Sequence, residues 1–233
     1  MSHRKAKNKE KTTDIMLKIG IELNGVLRNV NYQMCKYYAK DINSEFTFDK
    51  IDIDNMNPAE VLKFPSKKKF NEFVYIDYPY EIFGCATSMQ RGLEAKFTEW
   101  LEKLPDDERE EFDVGVFGLY EEALTIQSSY FFLSKFGCRT RHVSFPKSAE
   151  DAWDEFDVIV TCNPETIRSM PKGKKFVMIE RDNNKRYAKK AAAVYKTAKE
   201  AFEDPGLVDK ILDAGTGKKE TFINKIIRKI TNR

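Results

Sequence analysis

Histidine and closely spaced cysteine are what this chain has least of. Its 233 residues include two histidines, His3 and His142, and four cysteines, Cys35, Cys85, Cys138 and Cys162. The cysteines lie far apart and form no Cys-x-x-Cys pair, so no zinc site is expected and reduced thiols of a cytosolic protein are the default reading. No apolar run approaches the roughly 18 residues that a membrane span requires. The opening eleven residues carry charges with no apolar stretch behind them, which is not the pattern of a secretory signal. Internal repeats and low-complexity linkers are absent as well. What is present is core material: 41% hydrophobic residues, with 17 Phe and 10 Tyr. Length and composition together fit one large domain, or one domain carrying a small cap.

Charge is small in total and uneven in placement. The net charge is +3, but residues 1–11 contribute +4 and residues 218–233 contribute +5, leaving −6 for residues 12–217. An acidic body with basic ends suggests termini that meet something acidic, or that serve only as solvated tails. In the first arm the candidates for such contact are Arg4, Lys5, Lys7, Lys9 and Lys11. In the last segment Phe222, Ile223, Ile226, Ile227 and Ile230 recur at helical spacing with Lys225, Arg228, Lys229 and Arg233 around them. That stripe has four readings: packing on its own domain, a neighbouring subunit, an anionic membrane surface, or nucleic acid.

The order of elements points to an α/β fold. Strands are expected at 16–21, 112–117, 139–145, 157–161 and 175–179, alternating with helices that include 120–136, which Gly137 closes. Such alternation implies a parallel sheet with helices on both faces. Between the first two strands the pattern is helical only, with pieces at 30–40, 58–63 (Asn57 as cap), 66–73 and 90–104. The last third reads as helices at 185–203, 206–212 and 220–230. The expected organisation is a basic arm over 1–15, a core made of 16–28 and 111–217, a helical cap-like insertion over 29–110, and a basic amphipathic helix over 218–233. Two short motifs carry little. Gly215–Thr221 lacks the spacing of a phosphate-binding loop, and Asp52 and Asp54 read as turn residues of the insertion.

Ligands of open parallel sheets sit at the carboxyl ends of the strands. At the first such end an apolar strand runs into Glu22-Leu23-Asn24-Gly25-Val26-Leu27. This segment resembles the first motif of the haloacid dehalogenase (HAD) superfamily, an apolar strand followed by Asp-x-Asp-Gly-(Val/Thr)-(Leu/Val). In that family the first Asp is the nucleophile and the second the general acid/base; Glu22 and Asn24 hold those positions here. Residues 153–164, ending Thr161-Cys162-Asn163-Pro164, are similar to a stretch of HAD-type nucleotidases. Relatives carry Thr-Asp-Asn-Pro there, and the Asp helps hold Mg²⁺; Cys162 takes its place. Lys147 lies where the family's phosphate-neutralising lysine would be. Residues 129–137 are similar to the helix after the second strand of nucleotidase-like members. At the second strand end relatives place a Thr or Ser hydroxyl, but this chain has Gly118-Leu119-Tyr120. Thr125 falls well inside the next helix, and Glu121 and Glu122 at its start would repel an anion.

The resemblance thus implies a Rossmann-like HAD fold with a small helical cap and a degenerate active site. Its leading functional implication is a catalytically inactive protein that acts as a structural or binding subunit of a larger assembly, with protein partners in a homo- or hetero-oligomer. A phage or viral particle is one setting, because such assemblies reuse enzyme folds. One alternative is a weak Mg²⁺-dependent nucleotide phosphatase using Glu22; another is a nucleic-acid-associated protein held through its basic ends. The expected location is the cytoplasm or a virion, with no cofactor unless the phosphatase reading holds.

Overall fold

A computed structural model describes residues 17–104 and 112–216. The basic arm with Arg4, Lys5, Lys7, Lys9 and Lys11, and the final stripe with Phe222, Ile226 and Ile230, lie outside the described residues. Six strands form one parallel sheet in the order β5-β4-β1-β6-β7-β8. They are β1 (Leu17–Glu22), β4 (Phe112–Phe117), β5 (His142–Ser144), β6 (Val158–Thr161), β7 (Lys175–Ile179) and β8 (Ala193–Tyr195). The first-motif strand β1 lies inside the sheet, pairing with β4 on one side and β6 on the other. This is the α/β architecture, a parallel sheet with helices on both faces, that the alternating pattern implied.

The strands are near-continuous apolar runs because helices cover both faces. On one face α4 (Leu93–Lys103), α5 (Ala123–Phe136), α8 (Ala198–Glu203) and α9 (Leu207–Thr216) bury Phe97, Trp100, Phe132, Phe136 and Phe202 against Ile19, Ile21 and Val160. On the other, α6 (Ala149–Glu155) and α7 (Pro164–Arg168) bury Trp153, Phe156 and Ile167 against Phe117 and Ile159. Gly20 in β1 makes room for the Phe156 ring, which would lie 2.6 Å from a Cβ at that position.

The region between β1 and β4 contains two packing units. Residues from Val30 to Phe83 close a separate aromatic cluster in which the Tyr38 ring meets Phe46, Phe64 and Phe73 at centroid distances of 5.0, 5.2 and 6.4 Å. It is built from α1 (Val30–Tyr37), α2 (Pro58–Val61), α3 (Lys67–Glu72) and three π-helical turns, Tyr38–Ile42, Phe73–Asp77 and Tyr80–Gly84. Asn57 caps α2 as expected, accepting the Ala59 N–H. Helix α4, by contrast, buries its apolar face in the main core. A two-stranded antiparallel ribbon, β2 (Arg28–Asn29) with β3 (Thr87–Ser88), joins the unit to the sheet.

Three expected elements differ from the observed ones. The helix expected over 185–203 is a 3₁₀ segment (Lys185–Lys190), then β8, then α8. Lysine- and alanine-rich sequence favours helix locally, but Ala193–Tyr195 completes the open edge of β7, and Thr197 starts a new helix by accepting the Glu200 N–H. The helix expected from Tyr120 begins at Ala123, since Tyr120 and Ala123 have φ of 62° and 40°, which interrupt a right-handed helix. The strand expected over 139–145 shrinks to His142–Ser144, the stretch that pairs with Gly115–Phe117.

Candidate functional site

Glu22 is the last residue of β1 and is buried. One carboxylate oxygen, Oε2, accepts hydrogen bonds from the Thr161 hydroxyl at the end of β6 and from the Thr166 hydroxyl of α7, the latter at 3.3 Å. The other, Oε1, accepts from Asn163 Nδ2 at 3.1 Å. Asn163 is itself fixed as the cap of α7, where its Oδ1 accepts the Glu165 N–H at 2.9 Å. The donors are neutral and the side chain is buried. Burial therefore pushes the Glu22 carboxyl from its usual 4.5 up to about 7, against the opposing pull of the three hydrogen bonds.

Beyond Glu22 the chain turns sharply. Gly25 takes φ of 78°, and the N–H groups of Leu27 and Arg28 both return to the Leu23 carbonyl, at 3.0 and 2.8 Å. The turn sends the Arg28 side chain under the site, wholly buried. Its guanidinium gives Nε and Nη2 to Asn24 Oδ1 (2.9 and 2.7 Å), Nη2 to Glu121 Oε1 (2.5 Å), and Nη1 to Ser129 Oγ (2.5 Å) and the Phe83 carbonyl (3.4 Å). All five N–H donors of the arginine thereby have an acceptor. Ser129 also donates to Glu121 Oε2, and the rings of Phe83 and Phe132 flank the cation at 5.0 and 5.5 Å. Burial pulls the Arg28 pKa down while Glu121 opposes the fall. Glu121, which the sequence suggested would repel an anion, is instead the buried counter-ion of Arg28. Thr125 stands in the first turn of α5, where its hydroxyl accepts the Glu122 N–H at 2.9 Å.

Cys162 closes the third side. Its Sγ lies 3.9 Å from the Asn24 carbonyl oxygen, and a Cβ at Gly25 would stand 2.5 Å from it. Burial, with Glu22 adding to it and Arg181 opposing, pushes the thiol up to about 12, so it is neutral. Asn184 Nδ2 holds the Cys162 and Ile179 carbonyls at 2.9 Å each, and Arg181 Nη2 holds the Gly25 carbonyl at 3.2 Å.

Glu22, Asn24, Gly25, Arg28, Cys162, Asn163 and Arg181 border a cavity of about 350 Å³ between the strand ends and the aromatic unit. Glu22, Asn24 and Cys162 are thus brought together, as the motif positions implied. Lys147 is exposed and does not line the cavity. Asp54, read from sequence as a turn residue, does line it, as does Tyr120, whose hydroxyl donates to Glu165 Oε1 at 2.7 Å. Sequence reasoning missed Arg28, Glu121, Ser129, Thr166 and Arg181. An arginine four residues beyond the acid position was the one available signal, because only a buried partner would hold it inside an apolar turn.

Mg²⁺ prefers hard oxygen ligands in octahedral geometry. Glu22 already accepts three hydrogen bonds and has a carboxyl raised toward neutrality, the Asn24 oxygen is taken by a guanidinium, and Cys162 offers a neutral thiol. This donor set does not fit the ion. Among the described residues no group of three or more His, Cys, Asp or Glu side chains is arranged to hold a metal.

No known family profile matches the sequence, and no curated protein matches it. Among solved structures, the fold is similar to the crystal structure of a HAD-superfamily hydrolase, subfamily IA, variant 1, from Geobacter sulfurreducens PCA. The TM-score is 0.50, the identity 15%, and the match covers 79% of this chain and 97% of that one. At that identity the likeness establishes the fold alone. Among the described residues, no helix is long and apolar enough to cross a membrane.

Proposed function

We propose that this protein is a HAD-like pseudoenzyme, catalytically silent and serving as a structural or binding subunit of a larger assembly. The observation that carries the reading is the state of Glu22: both oxygens accept hydrogen bonds from neighbouring side chains, and the carboxyl is raised to about 7. Three of the roughly four acceptor sites of the carboxylate are thereby taken, whereas a nucleophile needs a lone pair directed in line at phosphorus. The extra methylene of Glu moves the carboxylate by about 1 Å, a displacement that can cost around 100-fold in rate. Asn24 exchanges no proton, which removes a further 100- to 10,000-fold or so of general acid/base catalysis. Partners would be engaged through the basic arm at 1–15 and the amphipathic segment at 218–233, in a cytoplasmic or virion setting.

A second reading, a weak nucleotide phosphatase of the 5′-nucleotidase-like branch, draws on one observation. Glu22 borders a cavity and titrates near neutrality, as a general acid or base would. Initial rates of nucleoside monophosphate hydrolysis with and without Mg²⁺ separate the two. The silent-site reading expects background rates in wild type and in Glu22→Gln alike. Turnover that disappears in Glu22→Gln contradicts it.

A further inference from the structure

Positive charge inside the folded body is concentrated in one stretch of the chain. Residues 168–190 hold nine Lys and Arg against Glu180 and Asp182, net +7, within residues 12–217 of net −6, so the rest of that body carries −13. The topology gathers this stretch at the amino ends of β7 and β8, the end of the sheet opposite the candidate site. The two strands run parallel with Val177 beside Ala193, and the Ala192 N–H donates to the Phe176 carbonyl at 2.8 Å. Lys189 and Lys190 therefore approach the sheet alongside Lys174 and Lys175. Lys172 lies in the turn just ahead, where the Lys174 N–H returns to the Pro171 carbonyl at 3.4 Å. The 3₁₀ segment Lys185–Lys190 packs Tyr187 and Ala188 on the core that α6 and α7 cover, and Met170 and Ala191 pack on the same core. Arg186 and Lys189 remain exposed on that segment, three residues apart and so one above the other.

Three of the nine cations are committed within the fold. Arg181 holds the carbonyls of Gly25, Glu180 and Lys196. Lys174 donates to the Trp153 and Phe156 carbonyls and lies 3.7 Å from Asp157, and Lys185 pairs with Asp182 at 2.6 Å. The other six, Arg168, Lys172, Lys175, Arg186, Lys189 and Lys190, have no carboxylate within 4 Å among the described residues. Lys175 is half-buried and the rest are exposed. The surroundings select the anion. A protein partner, a second copy of this chain included, requires an apolar interface core, and lysine is depleted from such cores. An interfacial membrane contact requires an apolar face to insert. None of the large hydrophobic side chains exposed among the described residues falls between 168 and 190. A single strand of nucleic acid is held by rings that stack on its bases, but the one ring of this stretch, Tyr187, is half-buried with the Arg186 guanidinium over it at 4.8 Å. Lysine and arginine without apolar or stacking groups match the phosphates of a duplex, whose bases stay inside.

We propose that the surface at the amino ends of β7 and β8, built from Lys172, Lys175, Lys189 and Lys190 with Arg168 and Arg186 on the flanking elements, binds the phosphate backbone of double-stranded nucleic acid without reading its sequence. The inference goes beyond the silent-site reading and does not depend on it, since its readout is binding and not turnover. Fluorescence anisotropy of a labelled short DNA duplex of mixed sequence, titrated with the full chain over a salt series, tests it. The basic arm and the final segment are retained in every variant, so that any phosphate contacts of their own stay constant. Binding should weaken by about 1,000-fold between about 50 and 200 mM salt, as six phosphate contacts require. Lys172→Gln/Lys175→Gln/Lys189→Gln/Lys190→Gln should weaken it by about tenfold or more at a given salt and lower the slope of log K against log salt by about 3 to 4, each contact contributing ~0.9. Lys189→Gln/Lys190→Gln, at two exposed positions, should lower the slope by about 2 and keeps the test sound if the fourfold variant melts early. No binding by the wild-type chain at the lowest salt overturns the proposal. Affinity and slope unchanged in both variants overturn it too, and assign the binding to the termini. A single strand of equal length that competes better than the duplex overturns the choice of ligand. So do phosphatidylserine vesicles that bind the chain more tightly than the duplex and lose that binding in the same variants.

Discussion

Two buried carboxylates stand near neighbouring strand ends, and the chain neutralises them by different means. Glu121, beyond β4, meets a guanidinium and a hydroxyl. Glu22, at the end of β1, meets two hydroxyls and an amide. The first is paired with a cation buried beside it; the second has only neutral donors, and burial pushes its carboxyl up to about 7. A buried charge is tolerated when it is paired and hydrogen-bonded, and otherwise the group shifts its pKa. The pairing of Arg28 with Glu121 also determines Asn24, because the same guanidinium holds its side-chain oxygen. One buried ion pair thus holds the Asn24 side chain in place while Glu22 is left without a counter-ion.

The comparison breaks most visibly at the paired carboxylate. Glu121→Gln leaves the Arg28 cation buried without its counter-ion, and breaking a buried pair on one side typically costs about 3–5 kcal/mol. That is a large share of a total stability of about 5–15 kcal/mol. Urea unfolding should show a midpoint lowered to match. A midpoint within error of wild type would mean that Arg28 is compensated by its carbonyl, hydroxyl and ring neighbours alone.

The unpaired carboxylate should reveal itself through pH. Glu22 is raised on folding, from the usual 4.5 to about 7. Below about 4.5 both the folded and unfolded states hold the proton, and the stabilising contribution is fully present. Between 4.5 and 7 the unfolded chain releases the proton first, so the folded state binds more protons and stability falls as pH rises. The loss is complete above about 7 and amounts to ~3 kcal/mol. Glu22→Gln should flatten this part of the profile. Subtracting the variant's pH–stability curve from the wild-type curve isolates the group, and a flat difference between pH 4.5 and 7 would show that Glu22 is charged throughout.

The same contrast explains what the sequence made legible. The strands β1, β4, β6 and β7 follow from apolar runs bounded by turn residues, and the Gly25 turn from Asn24-Gly25. Glu22, Asn24 and Cys162 were identifiable because each sits at a strand end, at a position that the resemblance to HAD motifs marks. Arg28, Glu121 and Ser129 were not, because Arg28 meets Glu121 just before α5 and Ser129 within it, contacts spanning about a hundred residues. Lys147 shows the converse: a loop position near a motif does not fix where its side chain goes. Helix α4 looked like part of the insertion because it lies there in sequence, yet its Phe97–Trp100 face completes the main core. The lysine-rich stretch ahead of Ala193–Tyr195 misled for a related reason. Local helix propensity yields when a sheet edge offers pairing.

The central claim is that the β1 carboxylate accepts no phosphoryl group. The most direct measurement is intact-protein mass spectrometry after incubating the full chain with p-nitrophenyl phosphate or acetyl phosphate and Mg²⁺, quenched in acid to preserve any acyl phosphate. The account predicts an unmodified mass at every time point. A phosphoryl adduct that maps to Glu22 and is absent from Glu22→Gln would contradict it.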